Sequence, residues 1–256
     1  MDLGLKGRNV LITGATRGIG RAIADTFADE GCNVAICARN PAEIEQALID
    51  LNAKGIRAIG KQVDVMADGE LKAWVREAGQ QLGGLDILVS NVGAMAQGID
   101  RDSWMQNINV DVFGLVDMIE AGQGFLEAAA QQHGDAAVIA VGSVSSTTAA
   151  VASSYGAVKA AMVHFIKGYA KQNAHQKIRA NIVSPGTVYF DGGIWQTIEK
   201  HNPEMFKGAM ARNPTGRMAT AFDVANAVVF LASERSAFTT GINLNVDGAI
   251  TDRVNF

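Results

Sequence analysis

Thr13-Gly14-Ala15-Thr16-Arg17-Gly18-Ile19-Gly20 decides the fold of this chain. It follows Val10-Leu11-Ile12, a short apolar run with the composition of a buried strand. It leads into Ile19, Ala22, Ile23 and Phe27, which recur at helical spacing. A backbone that leaves a strand and enters a helix within a few residues turns sharply, and glycines remove the Cβ atoms that would block the turn. The helix start then offers unpaired N–H groups and a favourable dipole to an anion such as a pyrophosphate. Glycines alone serve any tight turn. The pattern becomes a dinucleotide signal because Gly31 is placed to cap the helix and Val34-Ala35-Ile36-Cys37-Ala38 follows as a second buried strand.

The alternation continues along the chain. A helix is predicted over 42–53, a strand within 58–65, a helix over 68–82 and a strand over 85–89. A long helical region at about 102–132 precedes a strand at 136–141, a helix at 153–172, a strand at 178–183, a helix at 221–233 and a closing strand at 242–246. The strands are continuous apolar runs rather than alternating patterns, which predicts a parallel sheet covered by helices on both faces. The expected fold is α/β: one Rossmann-like, doubly wound domain of about seven strands spanning residues 1–256. Its cofactor half ends near residue 95 and its catalytic half follows. The segment from Gly186 to Arg217 breaks the rhythm with Gly192-Gly193, Pro203 and Pro214 among apolar residues. It is expected to be irregular, and residues 187–217 to form a lid over the substrate.

Bulk properties exclude several classes. A net charge of −4 with no basic cluster argues against nucleic acid and anionic membrane as partners. No apolar run has the length of a signal peptide core or a membrane span, so a cytoplasmic location is expected. The two cysteines, Cys32 and Cys37, flank one strand and are too far apart to pair, so both are expected to be buried thiols. His133, His164, His175 and His201 show no metal-ligand spacing, and no metal is expected.

The end of the second strand selects the nucleotide. A carboxylate there would bind a ribose 2′-hydroxyl and favour NAD. In its place stands Ala38-Arg39-Asn40, with a guanidinium able to pair a 2′-phosphate, and Arg17 reaches the same region from the glycine loop. The expected cofactor is NADP(H). Further along, Tyr155 and Lys159 share one face at the start of a helix. An ammonium beside a phenol favours its ionised form and makes it a usable acid–base at neutral pH. Ser143 follows a strand, where ligands bind in open α/β sheets, and its hydroxyl suits a carbonyl oxygen that gains negative charge.

These pieces together resemble the short-chain dehydrogenase/reductase family over essentially the whole chain, most of all its 3-oxoacyl-carrier-protein-reductase-like and carbonyl-reductase-like members. The resemblance is carried by Thr13 to Gly20, Asp64-Val65, Asn91-Val92-Gly93, Asn109, Ser143, Tyr155 with Lys159, Pro185-Gly186 and Gly241 to Gly248. It implies that Tyr155 is the general acid in reduction and the base in oxidation, that Lys159 holds the nicotinamide ribose, and that Ser143 polarises the carbonyl. It implies that Asn109 holds a water linking Lys159 to solvent, that Asp64 and Val65 face the adenine, and that Asn91 and Gly93 line the cofactor cleft. Gly14, Thr16, Gly18, Ile19, Gly20, Asn40, Pro185, Gly186 and Val188 complete the expected cofactor contacts, and a homotetramer is implied. For Asn91 and Asn109 the sequence itself shows only polar groups near element ends.

Three departures from the family pattern stand out. Asn91-Val92-Gly93 replaces the common Asn-Ala-Gly. Ser143 precedes Tyr155 by one residue fewer than usual, which leaves Ser145 and Ser146 as fallback candidates. Phe190 stands where many members have a threonine for the nicotinamide carboxamide, with Thr187 or the backbone of Val188 as substitutes.

The expected function is interconversion of a ketone or aldehyde with its alcohol, in the reductase direction on an apolar substrate. A dihydrodiol or hydroxy-substrate dehydrogenase, an epimerase, or a non-catalytic NADP(H)-binding protein are the alternatives. Met95, Val144, Ser145, Ala150, Val151, Tyr189, Trp195 and Met205 are expected to border the substrate.

Overall fold

The computed structural model describes residues 2–254. The strands are β1 (Asn9–Thr13), β2 (Asn33–Ala38), β3 (Ala58–Gln62), β4 (Ile87–Ser90), β5 (Ala136–Val141), β6 (Ile178–Pro185) and β7 (Asn243–Val246). The main helices are α1 (Gly18–Asp29), α2 (Pro41–Asn52), α3 (Glu70–Leu82), α4 (Arg101–Asn107), α5 (Gly114–His133), α6 (Ser154–Asn173), α7 (Ile194–His201), α8 (Pro203–Ala211) and α9 (Ala221–Ala232). All seven strands run parallel in one sheet, in the order β3-β2-β1-β4-β5-β6-β7. The strand order reverses between β1 and β4, so the chain leaves these two strands toward opposite faces and opens a crevice at their C-terminal ends.

The apolar runs are continuous because both faces of the sheet are buried. On β1, Val10 and Ile12 pack with Ile23 and Phe27 of α1 and Val224 and Val228 of α9. Leu11, between them, points to the other face and packs with Trp74 and Val75 of α3 and Leu115 and Met118 of α5. Cys32 and Cys37 lie in these two layers, and burial pushes both thiols up to about 12, so each is protonated at neutral pH. The end of the sheet away from the crevice is tied by Arg179 of β6. Its guanidinium grips Asp135 in a two-point pair at 2.7 and 2.9 Å and donates to the carbonyls of Leu231, Ala232 and Ser233. It thereby satisfies carbonyls left open at the end of α9.

Two expectations are corrected. The stretch from Gly186 to Arg217 is not irregular but carries α7 and α8. Pro203, read as a breaker, sits at the first position of α8, where its missing N–H costs nothing, and the Asn202 side chain accepts from Met205 N at the same end. The long helical region is interrupted by a wide π-type turn over Ile108–Phe113 between α4 and α5.

Helix α9 is held at its start by a reciprocal cap: Asp223 N donates to Thr220 Oγ1 at 3.2 Å, and Thr220 N donates to Asp223 Oδ2 at 2.7 Å. The Arg217 guanidinium, 2.6 Å away, and the Thr220 N–H hold the Asp223 carboxyl well below the usual carboxylate range. Asp223→Ala is expected to cost about 1 kcal/mol at neutral pH, seen as a Tm lowered by roughly 2–4 °C. A depressed carboxyl stabilises the fold above its unfolded value and loses that effect on acidification, so the gap to wild type should narrow below about pH 4. Equal Tm values at pH 7 would contradict this role of the cap.

Candidate active site

The crevice at the C-terminal ends of β1, β4, β5 and β6 is a cleft of about 810 Å³. Its floor is the turn from β1 into α1. Gly20 is packed so closely that a Cβ there would stand 2.1 Å from the Gly14 carbonyl oxygen and 2.4 Å from Asn91 Nδ2. Gly14 and Gly18 have positive φ, 67° and 56°, which favours glycine at both. Asn91 explains how the turn is fixed: its Nδ2 donates to the carbonyls of Thr13 and Gly14, and its backbone N donates to Thr13 Oγ1. It staples the end of β4 to the glycine loop. Thr16, Arg17, Ile19, Gly20, Arg39, Asn40, Asp64, Val65, Gly93, Pro185, Gly186 and Val188 all line the cleft, as does Gly14. Gly18 instead backs onto Phe190, whose ring lies 2.6 Å from where a Gly18 Cβ would be. Phe190 therefore roofs the glycine loop, and only a glycine leaves room beneath it.

At the other end of the cleft, α6 carries Tyr155 and Lys159 one turn apart. Lys159 is buried. Its Nζ donates to the Val141 carbonyl at 3.0 Å and lies 5.8 Å from the centre of the Tyr155 ring. It also stands 2.8 Å from Asp111 Oδ1, an ion-pair contact without the alignment of a hydrogen bond. The other carboxylate oxygen, Oδ2, accepts from Ala94 N at 3.0 Å. Ser143 follows β5, lines the same cleft, and its Oγ accepts from Ser145 N at 3.1 Å. That bond uses an acceptor site and leaves the hydroxyl hydrogen free to donate into the cleft. Ser145 thus supports Ser143 from behind and does not line the cleft, nor does Ser146.

Asp111 is the residue that sequence reasoning missed. Asn109 was expected to hold a water linking Lys159 to solvent, but it does not line the cleft, and Asp111 is the residue that meets the lysine. Two positions apart on a helical turn point to nearly opposite sides, so only one of the two can face α6. The π-type turn brings Asp111 inward at a point where regular periodicity is broken. The signal in the sequence was a single acid in the apolar run Val110-Asp111-Val112, which nothing else explained. Asn107 has a separate task. It accepts from Ala96 N and donates to the Ala96 carbonyl and to Ser154 Oγ, tying the start of α6 to the loop after β4. Between these two anchored residues, Met95 lines the cleft with a positive φ of 57°. Its strained backbone persists because Asp111 and Asn107 fix Ala94 and Ala96 on either side.

Of the remaining substrate-contact expectations, Trp195 lines the cleft. Val144, Ser145, Ala150, Val151, Tyr189 and Met205 do not. Val151 and Met205 are exposed. Tyr189 turns outward to donate to Glu199 and to pack edge-on against Phe206. Thr187, a proposed substitute for the missing threonine, donates its hydroxyl to Asn213 instead. Glu43, at the start of α2, was not anticipated in the cleft at all and lines it beside Thr16 and Asn40.

The Asp111–Lys159 pair is a strong stability test. Asp111→Ala leaves a buried ammonium without its counter-charge, which costs roughly 3–5 kcal/mol. The Tm is expected to fall on the order of 10 °C. Adding Lys159→Met to the same variant should restore much of this loss, because the stranded charge is then gone. A single variant as stable as wild type would show that the pair is not needed.

Comparison with known proteins bears on the whole chain. The family model described as enoyl-(acyl carrier protein) reductase matches residues 14–251. Isoepoxydon dehydrogenase of Penicillium expansum is 34% identical over 255 residues, 98% of this chain and 97% of that protein. L-sorbose reductase from Gluconobacter frateurii, solved with NADPH and L-sorbose, matches with a TM-score of 0.90 at 29% identity over 99% of this chain and 100% of that one. A 7α-hydroxysteroid dehydrogenase, solved with NADH and 7-oxo glycochenodeoxycholic acid, matches with a TM-score of 0.88 at 26% identity over 99% of this chain and 98% of that one. By these matches over nearly its whole length, the chain belongs to the short-chain dehydrogenase/reductase family, oxidoreductases acting on CH–OH and C=O groups.

Proposed function

We propose that the chain uses NADP(H) to interconvert an apolar ketone or aldehyde and its alcohol, with Ser143, Tyr155 and Lys159 as its catalytic residues. The observation that carries this reading is the cluster at the inner end of the cleft: a free serine hydroxyl and a phenol above a buried ammonium. Support for a dinucleotide comes from the floor. The glycine turn at the start of α1 offers backbone donors to a pyrophosphate, and Arg17 and Arg39 line the same cleft without a salt-bridge partner among the described residues. The L-sorbose reductase neighbour was solved with NADPH and the hydroxysteroid dehydrogenase neighbour with NADH, so the family uses both forms.

A dinucleotide held in the cleft would supply the hydride, while the protein supplies orientation and the proton. Ser143 Oγ donates to the carbonyl oxygen as negative charge develops there. Tyr155 delivers its hydroxyl proton to the same oxygen and is recharged from solvent. Lys159 stabilises the phenolate left behind and, with a ribose hydroxyl, holds the cofactor's position. Asp111 acts through Lys159 as a positioning residue. Residues 187–217 cover the substrate, with Trp195 as the apolar wall. Helix α7 buries none of its residues, and the segment is pinned at its two ends by the Val188–Ala219 bridge and the Thr187–Asn213 bond. These contacts support reading the segment as a cover that opens at its middle. Assembly as a homotetramer is supported by family resemblance, and light scattering reads it directly.

Titration with NADPH and NADH, followed by a carbonyl-substrate screen, tests the reading. NADPH is expected to bind the more tightly, and Arg39→Asp to reverse the order. Tyr155→Phe should bind cofactor normally and lose at least about 10²-fold in turnover, the low end of general acid–base contributions. Binding of neither nucleotide would favour a protein that has kept the fold without its chemistry. Normal turnover by Tyr155→Phe would move the proton-transfer role elsewhere.

A further inference from the structure

The end of the cleft beyond the glycine loop holds an anion. Glu43 Oε2 accepts from Thr16 Oγ1 at 2.8 Å, and Oε1 accepts from Asn40 Nδ2 at 3.1 Å. Thr16 belongs to the glycine loop and Asn40 follows β2, so this carboxylate bridges the two segments that enclose a cofactor's adenosine ribose. Arg17 and Arg39 line the same region, yet neither they nor Glu43 form a salt bridge among the described residues. The sequence had shown no acid at the end of β2. The fold brings one there from the first turn of α2.

Glutamate at the third position of a helix has an ordinary explanation. The helix dipole favours it, and it usually accepts a bond from the capping residue's backbone N–H. Glu43 does not use that bond. Its carboxylate takes two side-chain donors, and these are the donors an incoming 2′-phosphate would need. A phosphate brings only acceptors and negative charge, so it must displace Glu43 from both and remain near it. A ribose 2′-hydroxyl carries a hydrogen and can donate to the carboxylate as it stands.

We infer that Glu43 is a specificity-determining residue of the cofactor cleft, a resident anion on Thr16 and Asn40 that weakens the preference for a 2′-phosphorylated dinucleotide over its 2′-hydroxyl counterpart. The inference rests on the NADP(H) reading in assigning this end of the cleft to the ribose 2′ position. Arg17 and Arg39 attract the phosphate, Glu43 opposes them, and the balance sets the ratio of affinities. Neither a positive nor a negative charge decides it alone.

Wild type, Glu43→Gln and Glu43→Ala are titrated with NADPH and NADH at low and at 0.5 M salt. The paired probes 2′,5′-ADP and 5′-AMP isolate the adenosine end from the nicotinamide. Glu43 is exposed and its glutamine variant keeps the shape, so both variants should fold. At low salt Glu43→Gln is expected to tighten NADPH and 2′,5′-ADP about tenfold, the scale of one bond to a charged group. NADH and 5′-AMP should bind equally or more weakly, and the gain should shrink in high salt. An unchanged NADPH-to-NADH ratio in both variants, with both nucleotides binding, overturns the role of Glu43 alone. Failure of wild type to bind either nucleotide overturns the dinucleotide reading and this inference with it.

Discussion

The ammonium of Lys159 is the constraint on which the inner half of the cleft depends. A charge taken out of water is costly unless an opposite charge and hydrogen-bond acceptors surround it. Here the acceptor is a backbone carbonyl at the end of β5, and the opposite charge is Asp111. Each requires the other elements to be where they are. β5 must end at Val141 for its carbonyl to face α6, and the turn over Ile108–Phe113 must present Asp111 to Lys159. Once Lys159 is fixed, Tyr155 one turn earlier is fixed above it, and Ser143 at the strand end is set opposite. The three side chains are thus arranged by the need to compensate one buried charge.

The same pair reaches into the loop after β4. Asp111 holds Ala94 with one oxygen while the other faces Lys159, so the position of that loop and the charge state of the site are coupled. Asn107 repeats the arrangement one turn earlier with neutral groups, binding Ala96 and Ser154. Met95 stands between them in a backbone conformation that a lone methionine would avoid. Its strain is sustained by two buried polar residues on one helical segment. Asn107 and Asp111 are four positions apart, so both fall on one side of the segment and reach the same short loop.

The parallel sheet, its doubly covered core and the glycine turn were legible in the sequence because each is written in local spacing. Val10-Leu11-Ile12 announces a buried strand by composition, and Gly14, Gly18 and Gly20 announce the close approach that Gly20 makes to the Gly14 carbonyl. The family assignment followed from several such motifs in order. What stayed hidden depended on longer range or on broken periodicity. Choosing Asp111 over Asn109 required knowing which side of an irregular turn faces α6. Glu43 belongs to a helix that looked ordinary, and only the packing of α2 against the glycine loop brings it to Thr16. In the segment from Gly186 to Arg217, Pro203 was read as a breaker although Asn202 beside it makes the pair a helix start.

The division of residues 187–217 between two helices also limits where substrate selectivity can come from. Trp195 and Ile194, on the first turn of α7, line the cleft, whereas Met205 on α8 is exposed. Tyr189 is drawn away from the cleft by Glu199 and Phe206. The groups bordering the inner cleft are therefore Met95, Val188, Phe190, Ile194 and Trp195, with Ser143 and Tyr155 as the polar centre. The one ammonium there, Lys159, is buried and already paired with Asp111, and Arg17 and Arg39 line the cleft beside the glycine loop and the end of β2. A substrate held by such walls gains from apolar contact and shape, and its one obligatory polar atom is the carbonyl or hydroxyl oxygen. Phe190 roofs the glycine loop with one face of its ring and lines the cleft as well. A substitution there would alter cofactor seating and substrate fit together, which a change confined to Trp195 would not.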